Sequence, residues 1–416
     1  MSITIYDRPC GTGKTSRLLN NFEGDQKYLV VVPYLTEVDR VLKGACVHFE
    51  QPSTNESNTK KEDLRELLIE GKNVVITHKL YSMVVLMVRE GLLDDYHVII
   101  DEVPDVIRDG SQVKPKSYEE FYLGGGYVTE DPKTGLITPT PLWDETYEKV
   151  DDTLSPRFYK EAKSGCLYRT EDTFFIWVMP SELLTHNLSI TIYTYLAEGS
   201  MLVAYLDKLG IDYTIDKDQK LDREFRKNAK DQIKIVDIPG LSKVKFSASA
   251  QSNMTKKTKD SVALTLKKLR ERHPDLKGVP GSDILVTSLQ DNWLERPKRK
   301  QLNSKPKGFS VGTGLFKETH WIPNTTRGTN DYSHCSHMIY LWDQWPNESI
   351  RRWLGMPNTA KDDYGISEFV QWIYRSRVRK GEPVVLFVPS PRMIRLLEAW
   401  LNDFESDLAS ENTIAA

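Results

Sequence analysis

The first hundred residues alternate short runs of apolar, β-branched residues with longer amphipathic or polar stretches. Continuous Val and Ile runs of this kind are typical of parallel strands that are buried on both faces. The segments predicted as strands are Ile3–Tyr6, Tyr28–Val32, Val74–Thr77 and Val98–Asp101, and those predicted as helices are Lys61–Glu70 and Lys79–Glu90. Their alternation predicts βαβ units and therefore an α/β fold with a doubly wound parallel sheet.

This pattern is interrupted between about residues 110 and 167, where glycine, proline and threonine are frequent. The consecutive glycines at 124–126 and the sequence Asp131-Pro132-Lys133-Thr134-Gly135 indicate turns. We therefore predict an irregular or β-rich insertion with a hairpin around Pro132–Gly135. Strands are predicted to resume with Phe174–Met179 and Ser189–Thr194.

A second α/β pattern follows the first. The predicted strands are Ile233–Ile238, Val244–Ser247, Asp283–Thr287, Met338–Leu341 and Val384–Val388, and the predicted helices are Asp260–Arg272, Ile366–Tyr374 and Arg392–Phe404. We therefore predict a first domain over residues 1–205 that contains the insertion and a second domain over residues 206–405. The polar residues 406–416 are predicted to form a disordered tail.

The composition fits a globular protein large enough for two domains, with 416 residues, 39% hydrophobic and 28% charged. The formal net charge of −3 means that any nucleic-acid surface has to be a local patch. No apolar run has the length of a membrane span, and the chain enters a predicted strand directly at Ile3, so we expect a cytoplasmic protein without a signal peptide. The sequence His334-Cys335-Ser336-His337 contains metal-ligating residue types, but no second cluster with ligand spacing accompanies it, which favours an ordinary loop.

The segment Arg8–Thr15 (RPCGTGKT) lies between the first predicted strand and a predicted helix around Ser16–Asn20. In this context, glycines allow backbone N–H groups to surround a polyphosphate at the positive end of the helix. Lys14 would reach the β- and γ-phosphates of ATP, and the Thr15 hydroxyl would bind Mg²⁺. The residues predicted to contact the nucleotide are Cys10, Gly11, Thr12, Gly13, Lys14 and Thr15.

A second chemical motif follows the strand at Val98–Ile100, where Asp101 and Glu102 are adjacent. Three apolar residues would deliver the two carboxylates to the carboxyl edge of the sheet, where open α/β sheets bind ligands. Asp101 would hold Mg²⁺ through water and would complete the nucleotide site. Glu102 would orient and deprotonate the attacking water.

Further motifs occur in an order that resembles superfamily 2 helicases of the DEAD/DEAH type, in particular those carried by tailed bacteriophages, over about residues 3 to 400. The matching segments are Asp101–Pro104, Val32–Glu37, Val75–His78, Thr194–Ser200, Thr325–Asn330 and Gln371–Arg379. The resemblance implies two tandem RecA-like P-loop domains with parallel sheets. It also implies ATP hydrolysis in an interdomain cleft and movement along nucleic acid.

The resemblance assigns further site residues. It places nucleic-acid contacts at Pro33, Tyr34, Thr77, His78, Thr326, Arg327 and Asn330, and catalytic roles at Lys14, Glu102, Gln371, Arg375 and Arg379. Gln371 would sense the γ-phosphate, and Arg375 and Arg379 would be arginine fingers. Tyr374 and Val378 occupy positions that hold Gly and the second Arg in the motif, so Arg377 remains an alternative to Arg379.

The implied partner is nucleic acid, with single-stranded DNA preferred to RNA because the resemblance is to phage proteins of replication or recombination. Proteins of those processes are candidate partners, in the host cytoplasm. Six cations without an acid between residues 296 and 307 would suit backbone phosphates, although a solvated loop is an equal interpretation. Three other functions remain open: a nucleic-acid-dependent ATPase switch or clamp that does not unwind, a P-loop phosphotransferase, and a packaging ATPase.

Overall fold

The structure is a computed structural model that describes residues 2–54, 59–147, 156–171, 173–293, 309, 315–326 and 328–414, without the side chains of 15–17, 146–147 and 404–414. The chain divides into two compact units. The first unit comprises Met1–Tyr6, Gly13–Asp216 and Pro346–Asn358, and the second comprises Asp7–Thr12, Lys217–Trp345 and Thr359–Ala416.

The first half of the chain is built around a six-stranded sheet of order β11-β1-β10-β4-β2-β3. The strands are β1 (Ile3–Asp7), β2 (Lys27–Val32), β3 (Val74–Thr77), β4 (Tyr96–Asp101), β5 (Ile107–Asp109), β6 (Val128–Glu130), β7 (Ile137–Pro139), β8 (Leu167–Arg169), β9 (Phe175–Val178), β10 (Ser189–Thr194) and β11 (Tyr213–Lys217). The helices are α1 (Lys14–Leu19), α2 (Leu35–Gly44), α3 (Lys60–Ile69), α4 (His78–Tyr81), α5 (Val85–Arg89), α6 (Pro115–Ser117), α7 (Pro141–Tyr147), α8 (Pro156–Lys163), α9 (Glu182–Thr185) and α10 (Met201–Leu209). Strands β10, β4, β2 and β3 run parallel to their neighbours in that order.

The central strands of this sheet are buried on both faces, as their continuous apolar runs predict. Val30 and Val32 of β2 are fully buried and pack with Val38 and Val41 of α2. The strands predicted at the start of the chain are confirmed. The single helix predicted over Lys79–Glu90 is wrong, because α4 ends at Tyr81 and α5 begins at Val85.

The interrupted region carries a small core of its own. Strands β5, β9 and β8 form an antiparallel sheet, and β6 pairs with β7 in the predicted hairpin. The turn of that hairpin is held by Asp131, whose Oδ1 accepts hydrogen bonds from the backbone N–H groups of Lys133 and Thr134. Buried aromatic side chains fill the region, including Tyr118, Tyr122, Trp143, Phe158 and Phe175. The described part of the insertion is therefore packed rather than irregular.

The second half of the chain contains a five-stranded sheet of order β12-β16-β15-β13-β14, in which every neighbouring pair is parallel. The strands are β12 (Ile233–Asp237), β13 (Ile284–Thr287), β14 (His320–Trp321), β15 (His337–Tyr340) and β16 (Val384–Val388). The helices are α11 (Gln219–Gln232), α12 (Ala248–Ser252), α13 (Lys256–Arg272), α14 (Gln290–Trp293), α15 (Glu348–Leu354), α16 (Ala360–Ile373) and α17 (Pro391–Ile414). Within the described residues, no helix has both the length and the apolar character of a membrane span.

Several predicted boundaries differ from the observed ones. The strand predicted over Val244–Ser247 is absent, because the Val244 N–H bonds to the Leu241 carbonyl and Ser247 caps α12. The two units meet at Asp216 and Lys217 rather than at residue 205, and residues 346–358, with α15, belong to the first unit. Helix α17 extends to Ile414, through most of the segment for which a disordered tail was predicted.

Candidate nucleotide-binding site

The glycine-rich loop, residues 8–13, connects the end of β1 to α1. Gly11 and Gly13 both have a φ of 80°, where an L side chain is strained and glycine is not. A Cβ atom added to Gly13 would meet no atom within 4 Å, so this glycine is needed for its backbone conformation and the space beside it is open. The Thr12 hydroxyl donates a 2.9 Å hydrogen bond to the Pro9 carbonyl and closes the turn. Left-handed glycines before a helix are the arrangement that forms an anion-binding nest.

Lys14 is the first residue of α1, and its ammonium group is buried. Its Nζ lies 3.7 Å from Glu102 Oε1, with 9% and 10% of the two side chains exposed. This distance is too long for a hydrogen bond, and the ammonium has no hydrogen-bond acceptor among the described residues. A buried ammonium without acceptors is costly, and phosphate oxygens would supply them. Lys14 therefore fits a nucleotide phosphate. The Thr15 side chain lies outside the described atoms.

Asp101 and Glu102 lie at the carboxyl end of β4, and both are buried. Glu102 has a φ of 65°, a left-handed conformation that costs a residue with a Cβ on the order of 1–2 kcal/mol. Its N–H donates a 2.9 Å hydrogen bond to the carbonyl of Tyr193 in β10. The strained backbone therefore holds the Glu102 carboxylate beside Lys14, and such strain is concentrated at functional sites. The carboxylates present are the hard oxygen donors that Mg²⁺ prefers.

Two residues predicted to contact nucleic acid are tied to this acidic strand end or to α4. The His78 Nε2 atom donates a 2.9 Å hydrogen bond to the carbonyl of Asp101. The Thr77 hydroxyl caps α4 by accepting a bond from the Leu80 N–H. These contacts give both residues a role in the local structure, and their contact with nucleic acid stays a prediction.

The other predicted contacts of the first unit lie after β2. Pro33 is half-buried, and Tyr34 is 41% exposed at the position before α2. The next residue, Leu35, is 61% exposed. An exposed aromatic ring beside an exposed aliphatic side chain offers a stacking surface to an unpaired base.

In the second unit, Arg375 follows α16 and is only 1% exposed. Its Nε donates to the Gln371 carbonyl at 3.1 Å, and its Nη1 donates to the Thr329 carbonyl at 3.3 Å. Gln371 is also buried, and its amide donates to the Ser367 hydroxyl. Arg375 thus joins the end of α16 to the loop that carries Thr326 and Asn330. Its predicted role as a finger is not tested by these contacts.

Arg379 and Arg377 have different surroundings. Arg379 lies against Gly11, and both belong to the second unit; a Cβ on Gly11 would be 3.4 Å from Arg379 Cγ and 4.0 Å from its Nε. Arg377 instead donates from Nε to the Pro383 carbonyl at 2.6 Å. Tyr374, which stands where the motif has Gly, stacks on Phe225 at 4.5 Å. Of the two alternatives, Arg379 is therefore the one beside the glycine-rich loop.

The predicted contacts of the fifth motif lie in the loop between β14 and β15. The Thr326 hydroxyl donates to the Pro323 carbonyl at 2.8 Å, and Asn330 is exposed. Arg327 and the basic stretch of residues 296–307 lie outside the described residues.

Leu196, within the segment Thr194–Ser200, follows β10 with a φ of 56° that its residue type does not predict. Leu196 and Glu102 are two of the three non-glycine residues with positive φ in the described chain, and they follow the paired strands β10 and β4. Left-handed conformations are associated with Gly, Asn and Asp, so neither Leu nor Glu signals one in the sequence.

Comparison with known proteins places these observations in context. Residues 225–401 match the family model of the YonV C-terminal Rossmann-like domain. The SPbeta prophage-derived uncharacterized protein YonV of Bacillus subtilis (strain 168) is 25% identical over 435 residues, which cover 96% of this chain and 99% of that protein.

Two solved structures align with the chain over most of its length. One, described as XPD_APO, aligns with a TM-score of 0.52 at 14% identity and covers 97% of this chain and 95% of its own. The structure of S. tokodaii Xpd4 aligns with a TM-score of 0.42 at 11% identity, covering 98% and 94%. The first likeness, with the two parallel sheets, confirms the predicted α/β fold class with two Rossmann-like domains. It shows the fold alone.

Proposed function

We propose that this protein is an ATP-dependent nucleic-acid translocase or helicase of the superfamily 2 type. The observation that carries the proposal is the buried Lys14 ammonium at the start of α1, 3.7 Å from Glu102 and without a hydrogen-bond acceptor among the described residues. An ammonium without hydrogen bonds adds little stability to a structural ion pair. A phosphate site, in contrast, requires an ammonium whose hydrogen bonds are available to the phosphate oxygens.

The residues of the first unit would divide the chemistry among them. Lys14 would bind the β- and γ-phosphates, and Glu102 would accept a proton from the attacking water. Asp101 and Thr15 would hold Mg²⁺, which supplies neutralisation of phosphate charge when bound. The hydrogen bond from His78 to the Asp101 carbonyl would transmit movement of this strand end to α4.

The second unit would contribute a positive charge for catalysis and a residue that positions others. Arg379, beside Gly11, would stabilise charge on the γ-phosphoryl group in the transition state, an effect on the order of 10³–10⁵-fold for arginine fingers. Arg375 would hold Gln371 and the loop of Thr326 in position, since it bonds to backbone carbonyls at both.

The proposed nucleic-acid partner is DNA. A prophage-derived relative and the resemblance of the motifs to phage proteins favour DNA, in replication or recombination. Exposed Tyr34 would stack on an unpaired base, and Asn330 and Thr326 would contact its backbone. Single-stranded DNA is therefore the nucleic acid along which the protein is proposed to move.

The test compares ATP turnover by the wild type and by Glu102→Gln without nucleic acid and with single-stranded DNA, single-stranded RNA or duplex DNA. We expect single-stranded DNA to stimulate the wild type at least about tenfold and Glu102→Gln to lose at least about a hundredfold while still binding ATP. Glu224→Gln, at an exposed position of α11, is the matched control and should retain turnover. Equal wild-type turnover in all four samples would contradict the proposal.

A strand-displacement assay separates a motor from a switch. Displacement that requires ATP hydrolysis supports the helicase. Stimulated hydrolysis without displacement or movement would instead indicate the nucleic-acid-dependent switch or clamp.

A further inference from the structure

Three metal-ligating side chains converge in the second unit. His320 begins β14, and His334 and Cys335 lie just before β15. One ligand atom from each of the three lies within 4.8 Å of the others. The sequence segment His334–His337 contains only two members of this set, because His320 precedes His334 by fourteen positions and shows no ligand spacing of its own.

The distances suit a tetrahedral ion. The His334 Nε2 atom lies 3.7 Å from Cys335 Sγ. With a metal–sulfur bond near 2.3 Å and a metal–nitrogen bond near 2.05 Å, tetrahedral zinc places its sulfur and nitrogen ligands about 3.6 Å apart. The observed separation therefore already matches that of two ligands of one ion.

His320 supplies the second argument. Its Nε2 atom is buried and has no hydrogen-bond partner in the described part of the chain. Its ring stands almost perpendicular to that of His334, with centroids 5.3 Å apart. Burial removes the water that would bond to this imidazole nitrogen, and the loss is costly when no other partner is present. A bound metal ion would supply that partner.

We propose that His320, His334 and Cys335 form a Zn²⁺ site, with the fourth position taken by water. A thiolate with two imidazoles selects zinc over the hard cations Mg²⁺ and Ca²⁺. The ligands lie at the amino ends of β14 and β15, whereas the ligand sites of α/β sheets lie at the carboxyl ends. The ion would therefore not belong to a ligand site at the carboxyl edge of this sheet. It would join the start of β14 to the end of the loop that carries Thr326 and Asn330.

A hydrogen-bonded loop without metal is the alternative. His334 Nε2 lies 3.1 Å from the Ser282 carbonyl, and Cys335 Sγ lies 3.7 Å from the same oxygen. These bonds explain the positions of His334 and Cys335, but they leave His320 Nε2 without a partner. A bound metal ion would account for the positions of all three side chains.

The test is the metal content of the purified full-length protein and its absorption after exchange with Co²⁺. We expect about one Zn²⁺ per chain and, with Co²⁺, a thiolate-to-metal charge-transfer band together with the visible bands of a tetrahedral site. His320→Ala and Cys335→Ser should each reduce bound metal at least about tenfold. Exposed Cys46 and His48 provide the controls, and Cys46→Ser and His48→Ala should retain it.

The test of the metal site does not depend on whether the variants fold. Even if a variant fails to fold, the wild type must show the thiolate–Co²⁺ band, and a chelator must lower its thermal midpoint. A wild-type protein that contains no zinc and gives no such band with micromolar Co²⁺ would overturn the proposal.

Discussion

The carboxyl ends of the strands differ in the two sheets. In the first unit, β4 ends in two buried carboxylates, and Lys14 remains buried beside one of them at 3.7 Å. In the second unit, the corresponding edge is filled by its own side chains. Gln251 donates to the Leu341 carbonyl after β15, and Arg392 bonds to Asp343 and to the carbonyl of Gln344.

Both sheets begin from similar apolar runs, so the strands themselves do not explain this difference. The residues that follow each strand do. A glycine-rich loop, two adjacent acids and a buried ammonium without a hydrogen-bond acceptor among the described residues make this edge a charged site that a ligand can use. An amide and a guanidinium that reach backbone carbonyls instead satisfy the edge internally and stabilise the unit. The comparison predicts activity losses in the first unit and stability losses in the second.

The largest expected effect is that of Lys14→Ala on nucleotide hydrolysis. Removing the ammonium should lower ATP turnover at least about a thousandfold, because Lys14 is the buried cation at the start of α1 that would bind the phosphates. The free energy of unfolding should change less than turnover, because losing the cation beside buried Glu102 and losing a buried ammonium without hydrogen-bond acceptors act in opposite directions. Turnover and urea unfolding measure the two effects. Lys60→Ala, at the exposed start of α3, is the control; retained turnover in Lys14→Ala would refute the assignment.

The second prediction distinguishes the role of Arg379 from that of Arg375. Arg379→Ala should lower turnover by about a hundredfold or more with little change in stability. Arg375→Ala should lower the free energy of unfolding by about 2–4 kcal/mol, because it removes a donor from the buried carbonyl of Gln371 and from the half-buried carbonyl of Thr329. Arg377→Ala, whose guanidinium bonds to Pro383, serves as the control for activity. A stable but inactive Arg375→Ala would instead make Arg375 the finger.

Much of the fold follows from the sequence because continuous apolar runs specify buried parallel strands. The glycine-rich loop and the acidic pair were also predictable, because each is a short motif that directly follows such an apolar run. Other features depend on distant contacts. The break between α4 and α5 places fully buried Val84 between two short helices, which periodicity along one segment does not reveal. The burial of Arg375 and the approach of His320 to Cys335 likewise depend on partners far along the chain.

A third prediction measures the strain at Glu102. Glu102→Asn and Glu102→Gln both remove the carboxylate and should both be inactive. Asn tolerates a φ of 65° better than Gln does, so Glu102→Asn should be more stable by about 0.5–1 kcal/mol. Urea unfolding of the two variants provides the comparison. At Glu198, which has no positive φ, the same pair of substitutions should show no such difference. Equal stabilities at position 102 would mean that the site stores no strain there.

The smallest effect concerns the ion pairs near the edge of the second sheet. Burial alone would raise the pKa of Asp362, but the hydrogen bond from Arg395 and the charge of Arg392 outweigh it and hold the pKa below its ordinary value. A carboxylate with a lowered pKa contributes stability above its unfolded pKa of about 3.9, and loses it as the pH falls through the folded value.

Arg395→Ala should therefore lower the free energy of unfolding by about 0.3 kcal/mol at pH 6, a small value because the side chains of Arg395 and Asp362 are 62% and 41% exposed. The difference from the wild type should shrink at pH 3. Urea unfolding at both pH values measures it, and in an Asp362→Asn background Arg395→Ala should have no further effect. An equal loss at both pH values would show that Arg395 stabilises the second unit through its packing rather than its charge.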